Sequence, residues 1–327
     1  MSVPAPRRAL RFLAAFLALA VLAALVSPRH LQTGFPVFYR WENLTNVLRQ
    51  VSENGILAVG MTFVILAGGI DLSVGSLLAL ANVLAAWGLV RAGLSAPAAA
   101  LLAVLGAGLV GFMNGAFVAR ARIQPFVVTL ATMSIARGLA FLCSGGRGIV
   151  LPVGTGGSVD RFAMLGSSVG GFPVQGAIFL ALASVAGFVL ARTAVGRHVY
   201  ALGGNAEAAR LSGVRVERVQ LLVYTVSGLL AGVAGVIHVA TLRNGHPAEG
   251  MGWELNAIAA TVLGGTHLSG GRGSVAGAAA GAVFIGVLNN LLGLRNVDPY
   301  VQMLLKGALI LAAVLVQRRG VDRIPAR

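Results

Sequence analysis

The sequence has a single cysteine, Cys143, in an apolar stretch. That excludes a disulfide framework, a thiolate metal site and a redox pair, and leaves Cys143 as a small packing residue. It also has a single lysine, Lys306, preceded by Gln302, Met303, Leu304 and Leu305. No G-x-x-x-x-G-K-[ST] phosphate cradle is therefore possible in this chain. The five histidines, His30, His198, His238, His246 and His267, include no helix-spaced pair that would hold a metal. Charge is scarce as well: 11% of residues are charged, against about one-quarter in soluble domains.

What fills the chain is apolar. Of 327 residues 57% are hydrophobic, and the mean hydropathy is +0.85. A soluble core of this size cannot use that much apolar surface, whereas a bilayer requires helices that are apolar all round over about 20 residues. The fold class is all-α, a polytopic membrane bundle. Net charge is +15, but the arginines sit at the ends of apolar runs and form no stripe on a soluble face, which excludes a nucleic-acid partner.

Ten candidate helices can be read: Leu10–Val26, Gly55–Ile70, Leu72–Val90, Ala96–Val118, Phe126–Cys143, Gly176–Ala191, Val219–Ala240, Leu255–Leu263, Gly273–Leu294 and Tyr300–Val316. Leu255–Leu263 spans only if Trp253 and Glu254 are helical too, and Gly55–Ile70 needs residues before Gly55. The first run follows Arg7, Arg8 and Arg11 and is longer than a usual signal-peptide core, so it reads as an uncleaved span. With ten spans and the N-terminus inside, fifteen arginines fall on the inner side and eight on the outer, with Arg137 and Lys306 within spans. The positive-inside rule then places both termini in the cytoplasm. Residues 1–327 form one transmembrane domain, with residues 1–8 and 317–327 as cytoplasmic tails and residues 192–218 as a cytoplasmic loop.

Glycine is abundant, with 45 residues, and pairs such as Gly111/Gly115, Gly228/Gly232 and Gly277/Gly281 let helix backbones approach closely in lipid. The segments Ala67–Gly75, "AGGIDLSVG", and Leu263–Gly271, "LGGTHLSGG", echo each other. Chance likeness in glycine-rich sequence is one reading; two equivalent helix breaks in a repeat-built transporter is the other. Two motifs lack their context. Gly106, Gly108 and Gly111 fit a dinucleotide fingerprint but lie in one apolar span, and Gly166, Ser168 and Gly170 fit a nucleophile elbow without a strand-to-helix turn.

The loop Arg192–Arg218 carries five arginines. In it Gly203 and Gly204 end one element, Asn205 caps a short helix from Ala206 to Ser212, and Gly213 stops it. Glu207, Ala208 and Ala209, followed by Gly213, give E-A-A-x-x-x-G, the mark of the cytoplasmic coupling loop of ATP-driven importers. With Arg210 these residues form a short amphipathic helix that would seat in a partner's groove; a capped turn anchored at lipid headgroups is the plainer alternative.

Four blocks then resemble, in order, the ribose-type sugar permeases of ATP-binding-cassette importers: Gly60–Ala86, "GMTFVILAGGIDLSVGSLLALANVLAA"; Asn114–Ile149; Gly196–Val214, "GRHVYALGGNAEAARLSGV"; and Trp253–Asn290. The resemblance covers nearly everything after about residue 45. It implies about ten helices per protomer, two permease copies per importer, a separate cytoplasmic ATPase that holds ATP and Mg, and a periplasmic sugar-binding protein. It further implies the bacterial inner membrane, and no cofactor in this chain. His267, Asn256 and the segment after Asn290, "LLGLRNVDPYVQ", depart from the family pattern, which leaves pentoses, deoxyhexoses and related polyols all open.

Polar residues inside apolar runs are costly and point inward or to a partner. Asp71, Ser73, Asn114, Thr129, Arg137, Glu254, Asn256, Asn289, Asn290 and Gln302 are the candidates for a translocation path. A sugar offers hydroxyls and no charge, so the asparagines suit it best. Asp71 has a second reading as a helix cap, and Arg137 as its ion-pair partner or a snorkelling side chain. Other functions that fit a membrane bundle are an ion-coupled secondary transporter and a permease for branched-chain amino acids. A membrane-embedded hydrolase lacks a clustered nucleophile and base.

Overall fold

The computed structural model describes residues 17–18, 21, 23–30, 34–154 and 157–321. The helices are α1 (Trp41–Leu66), α2 (Val74–Val90), α3 (Ala96–Arg120), α4 (Pro125–Ser144), α5 (Gly157–Ala163), α6 (Val174–Arg192), α7 (Ala194–Gly204), α8 (Ala206–Leu211), α9 (Val216–Leu242), α10 (Trp253–Leu263), α11 (Val275–Leu294) and α12 (Pro299–Val321). The strands β1 (Ile149–Val150), β2 (Ser168–Val169), β3 (Phe172–Pro173) and β4 (Asn244–Gly245) pair antiparallel, β1 with β4 and β2 with β3. The helical expectation is met. Most of the predicted span at Leu10–Val26, with residues 1–8 and 322–327 of the two tails, lies outside the described residues.

Five of these helices, α3, α4, α6, α9 and α11, are long and apolar enough to cross a membrane. Protein buries only 28%, 22% and 28% of the apolar stretches of α3, α4 and α6, against 72% of α9. Their uncovered faces carry Leu101, Leu105 and Leu109 on α3, Ile135 and Leu142 on α4, and Val185 and Phe188 on α6. A surface of that composition needs lipid around it.

At the centre stands α1. It begins at Trp41, well before Gly55, as the predicted span required. From Val51 to Leu66 all residues but Asn54 are buried, packed against α9, α11, α10 and α6. Its buried hydroxyls close on their own turns: Ser52 Oγ donates to Leu48 O at 2.5 Å and Thr62 Oγ1 to Ala58 O at 2.7 Å. The small-residue pairs pack α3 on α9, where a Cβ on Gly228 would lie 2.9 Å from Gly111 Cα and one on Gly232 would lie 2.8 Å from Val104 Cα.

One predicted span is corrected. Trp253 and Glu254 are indeed helical, yet α10 has only 11 residues, roughly 16 Å of helix against a hydrocarbon core of about 30 Å. The segment before it, residues 243–252, is not helical and descends along α2. There Asn82 Nδ2 donates to His246 O at 3.0 Å, and Gly250 packs on Gly75. Irregular backbone at membrane depth is tolerated because protein encloses it.

The echoing segments are both helix ends of one type. After α1, Gly68 (φ +84°) closes with Gly68 N on Ile65 O and Gly69 N on Val64 O; after α10, Gly265 (φ +86°) closes with Gly265 N on Val262 O and Thr266 N on Thr261 O. This is the Schellman closure, and it favours glycine at the left-handed position. The geometric match pairs Gly68 with Gly265, one residue out of register with the sequence match, which pairs Gly68 with Gly264.

Candidate functional site

Four predicted path residues meet in a closed network at the break after α1. Asp71 Oδ1 accepts from Ser73 N at 2.9 Å and Ser73 Oγ at 2.5 Å, and Oδ2 accepts from Ser227 Oγ at 2.8 Å. Asn114 Nδ2 donates to Ser73 Oγ at 3.0 Å, Thr132 Oγ1 donates to Asn114 Oδ1 at 2.6 Å, and Thr129 Oγ1 donates to Ile70 O at 3.2 Å. Asp71, Ser73, Asn114 and Thr129 are fully buried. Buried polar groups that answer one another fix a unique geometry, and this set ties the break to α3, α4 and α9. Asn290 instead exchanges two 3.0 Å hydrogen bonds with Asn43, and Gln302 Nε2 donates to Val297 O at 2.9 Å.

A cavity of about 290 Å³ lies between the first half of α1, the end of α9, α10 and α11. Its polar lining is Arg49, Gln50, Glu53, Asn54, His238, Thr241, Asn256 and Asn289, with Trp253 and small apolar residues between them. His238 sits between two carboxylates, with Nδ1 at 2.8 Å from Glu53 Oε2 and Nε2 at 3.2 Å from Glu249 Oε2, and its ring meets Trp253 edge-on at 5.3 Å. Three buried atoms of lining residues have neither a hydrogen-bond nor an ion-pair partner: Arg49 Nε, Asn54 Oδ1 and Asn289 Oδ1. An unanswered buried polar atom costs about 1–3 kcal/mol. A lining rich in amides, with Gln50, Asn54, Asn256 and Asn289 beside Arg49, suits a solute bearing several hydroxyls, because each O–H both donates and accepts.

A second cavity, about 280 Å³, is lined by Ser76, Met133, Ser134, Arg137, Met251, Gly252 and Glu254. Arg137 Nη1 donates to Pro247 O and Glu249 O, both at 2.6 Å, and so clamps the descending segment 243–252. The start of α10 is the wall between the cavities: Trp253 faces the first and Glu254 the second.

At the opposite end of α1 lies the loop between α6 and α9. Thr193 caps α7, its Oγ1 accepting from Gly196 N at 3.4 Å, and Asn205 caps α8, its Oδ1 accepting from Ala208 N at 3.0 Å. Gly213 (φ +86°) follows the end of α8, as the sequence pattern anticipates. Ala209 faces inward, while Glu207, Ala208, Arg210 and Leu211 are exposed, Leu211 at 81%. An exposed ion pair joins Arg210 to Glu217 at 3.8 Å.

Of the path candidates offered by the sequence, Asn256 and Asn289 line the first cavity and Arg137 and Glu254 the second. It missed Arg49, Gln50, Glu53, Asn54, His238 and Trp253. The first four lie in the polar half of α1 that hydropathy left outside the span. His238 was legible as an ionisable residue within an apolar run, the same signal that picked out Arg137.

Residues 43–314 match the protein family described as "Branched-chain amino acid transport system / permease component". The chain is 46% identical to the ribose import permease protein RbsC of Escherichia coli over 314 residues, covering 93% of this chain and 92% of that protein. It is 43% identical to RbsC of Bacillus subtilis over 306 residues, with coverage of 93% and 92%. It is 37% identical to the L-arabinose ABC transporter permease protein AraH of Azospirillum brasilense over 298 residues, with coverage of 90% and 85%. No solved structure matches the chain. A multi-pass helical bundle with polar cavities inside it and this degree of likeness over nearly its whole length belongs to that permease family, on its simple-sugar ABC side.

Proposed function

We propose that the chain is the membrane-spanning permease subunit of a bacterial inner-membrane importer that moves a simple sugar, a pentose such as ribose, a deoxyhexose or a related polyol. ATP and Mg are held by a separate ATPase that docks on α7 and α8, and a periplasmic sugar-binding protein delivers cargo at the opposite end. Two permease copies act together, each with about ten spans and both termini in the cytoplasm. The observation that carries this reading is the first cavity, whose lining of Arg49, Gln50, Asn54, Asn256 and Asn289 offers amide and guanidinium groups to hydroxyls. The likeness to ribose permeases supports the class of cargo.

A branched-chain amino acid would bring a carboxylate and an ammonium that need fixed opposite charges. In the cavity the Glu53 carboxylate, the only one among the described lining residues, is already engaged by His238, which leaves no carboxylate there to answer an ammonium group. Co-reconstitution of the permease with its ATPase and receptor in proteoliposomes tests the proposal. Uptake of D-ribose that depends on ATP and is not displaced by leucine is the expected result. Uptake by the permease alone, driven by a proton or sodium gradient, would overturn it.

A further inference from the structure

The two helix breaks are bonded to each other. Leu66 O, a carbonyl that α1 cannot satisfy internally at its end, accepts from Gly271 N, in the loop after α10, at 2.9 Å. The last turn of α7 is laid on that same bond. A Cβ on Gly203 would overlap Leu66 O and stand 2.6 Å from Gly271 N, one on Gly270 would stand 2.9 Å from Gly203 O and 3.0 Å from Gly68 N, and one on Gly271 would stand 2.9 Å from Gly204 Cα. Three segments thus cross backbone on backbone, without a side chain between them. A second tie lies one turn earlier, where Tyr200 Oη donates to Gly273 O at 2.9 Å. Burial pushes the Tyr200 pKa up, which keeps the hydroxyl a donor.

We infer that Gly203, with Gly270 and Gly271, is the positioning joint through which the coupling loop drives both helix breaks at once. The inference rests on the reading of α7 and α8 as the ATPase-docking loop. A displacement of α7 cannot be absorbed by rotamer changes at this joint, because close-packed backbone transmits strain and has no rotamers. It must shift the end of α1 and residues 264–274 together. The first break is anchored by the Asp71 network and the second leads back to α10, whose start is the wall between the cavities. Movement at the coupling loop therefore arrives at that wall through packed backbone, with the Tyr200–Gly273 hydrogen bond beside it.

A helical glycine outside the docking loop supplies the control. A Cβ on Gly293, in α11, would meet nothing within 4 Å. In the reconstituted importer, with D-ribose as the probe, Gly203→Ala is expected to co-purify with the ATPase, to keep most of its hydrolysis and to lower uptake per ATP about tenfold, while Gly293→Ala stays within about twofold of the parent. Tyr200→Phe, which keeps the ring and loses one hydrogen bond, is expected to lower uptake per ATP by about two- to fivefold. Equal uptake per ATP in the two alanine variants would overturn the inference. If Gly203→Ala fails to assemble, Tyr200→Phe decides, and parental uptake per ATP in that variant would overturn it as well. Failure of the docking reading looks different: the parent chain itself would not bind the ATPase through α7 and α8, and Glu207→Arg would leave co-purification unchanged.

Discussion

At the scale of single residues, the membrane interior separates two kinds of polar group by whether they are answered. Asp71 accepts three hydrogen bonds from Ser73 and Ser227 within full burial. Asp71→Ala strands those donors, and is expected to lower the stability of the detergent-solubilised protein by about 2–4 kcal/mol, read from its thermal midpoint. Asn289 is the opposite case, since its Oδ1 is buried and unpartnered at the cavity wall. Asn289→Ala removes an unanswered acceptor, so the thermal midpoint should hold or rise while sugar uptake falls about tenfold. A drop in both would assign Asn289 to packing. The two variants together separate scaffold from path by the sign of the stability change.

At the scale of elements, the bundle depends on how closely helices approach. A Cβ on Gly228 would lie 2.6 Å from Ala107 O and 2.9 Å from Gly111 Cα, whereas Gly293, also helical, has nothing within 4 Å of such an atom. Gly228→Leu should therefore force α3 and α9 apart at a cost of about 1–3 kcal/mol, and Gly293→Ala should be neutral or slightly stabilising. Thermal unfolding of the two variants checks this, and equal midpoints would sink the packing argument. The helices themselves were legible where apolar runs were long, as in α3, α4, α6, α9 and α11. The start of α1 was not, because Arg49, Gln50, Glu53 and Asn54 depress hydropathy exactly where a bundle interior tolerates polarity. Nor does composition show that α10 starts so late. What delays it is the descending segment before Trp253, held by Arg137 on two carbonyls, a contact between residues far apart in the chain.

At the scale of the whole molecule, the positive-inside count proposes which end of the bundle faces the cytoplasm. With Cys143 replaced by serine, one cysteine can be placed at each end: Leu211→Cys on α8 and Val153→Cys beyond β1, both strongly exposed at 81% and 75%. In intact cells an impermeant maleimide should label the second and reach the first only after the membrane is opened. The reverse pattern would invert the assigned orientation. Family and fold were readable at this scale from four sequence blocks, and the glycines of the breaks were visible too. That Gly68, Gly203 and Gly270 converge on one point was not, since nothing in a sequence pattern says which turns touch.

The meeting of those three glycine turns bears on how such a carrier could be re-addressed. A joint made only of peptide groups has no side-chain vocabulary, so it cannot recognise a cargo. Within this chain, that leaves recognition to the walls of the proposed path. Swapping the lining residues for those of a relative with another substrate should redirect what is carried while the stroke stays as it was, so the mechanical part of this molecule is portable between cargoes.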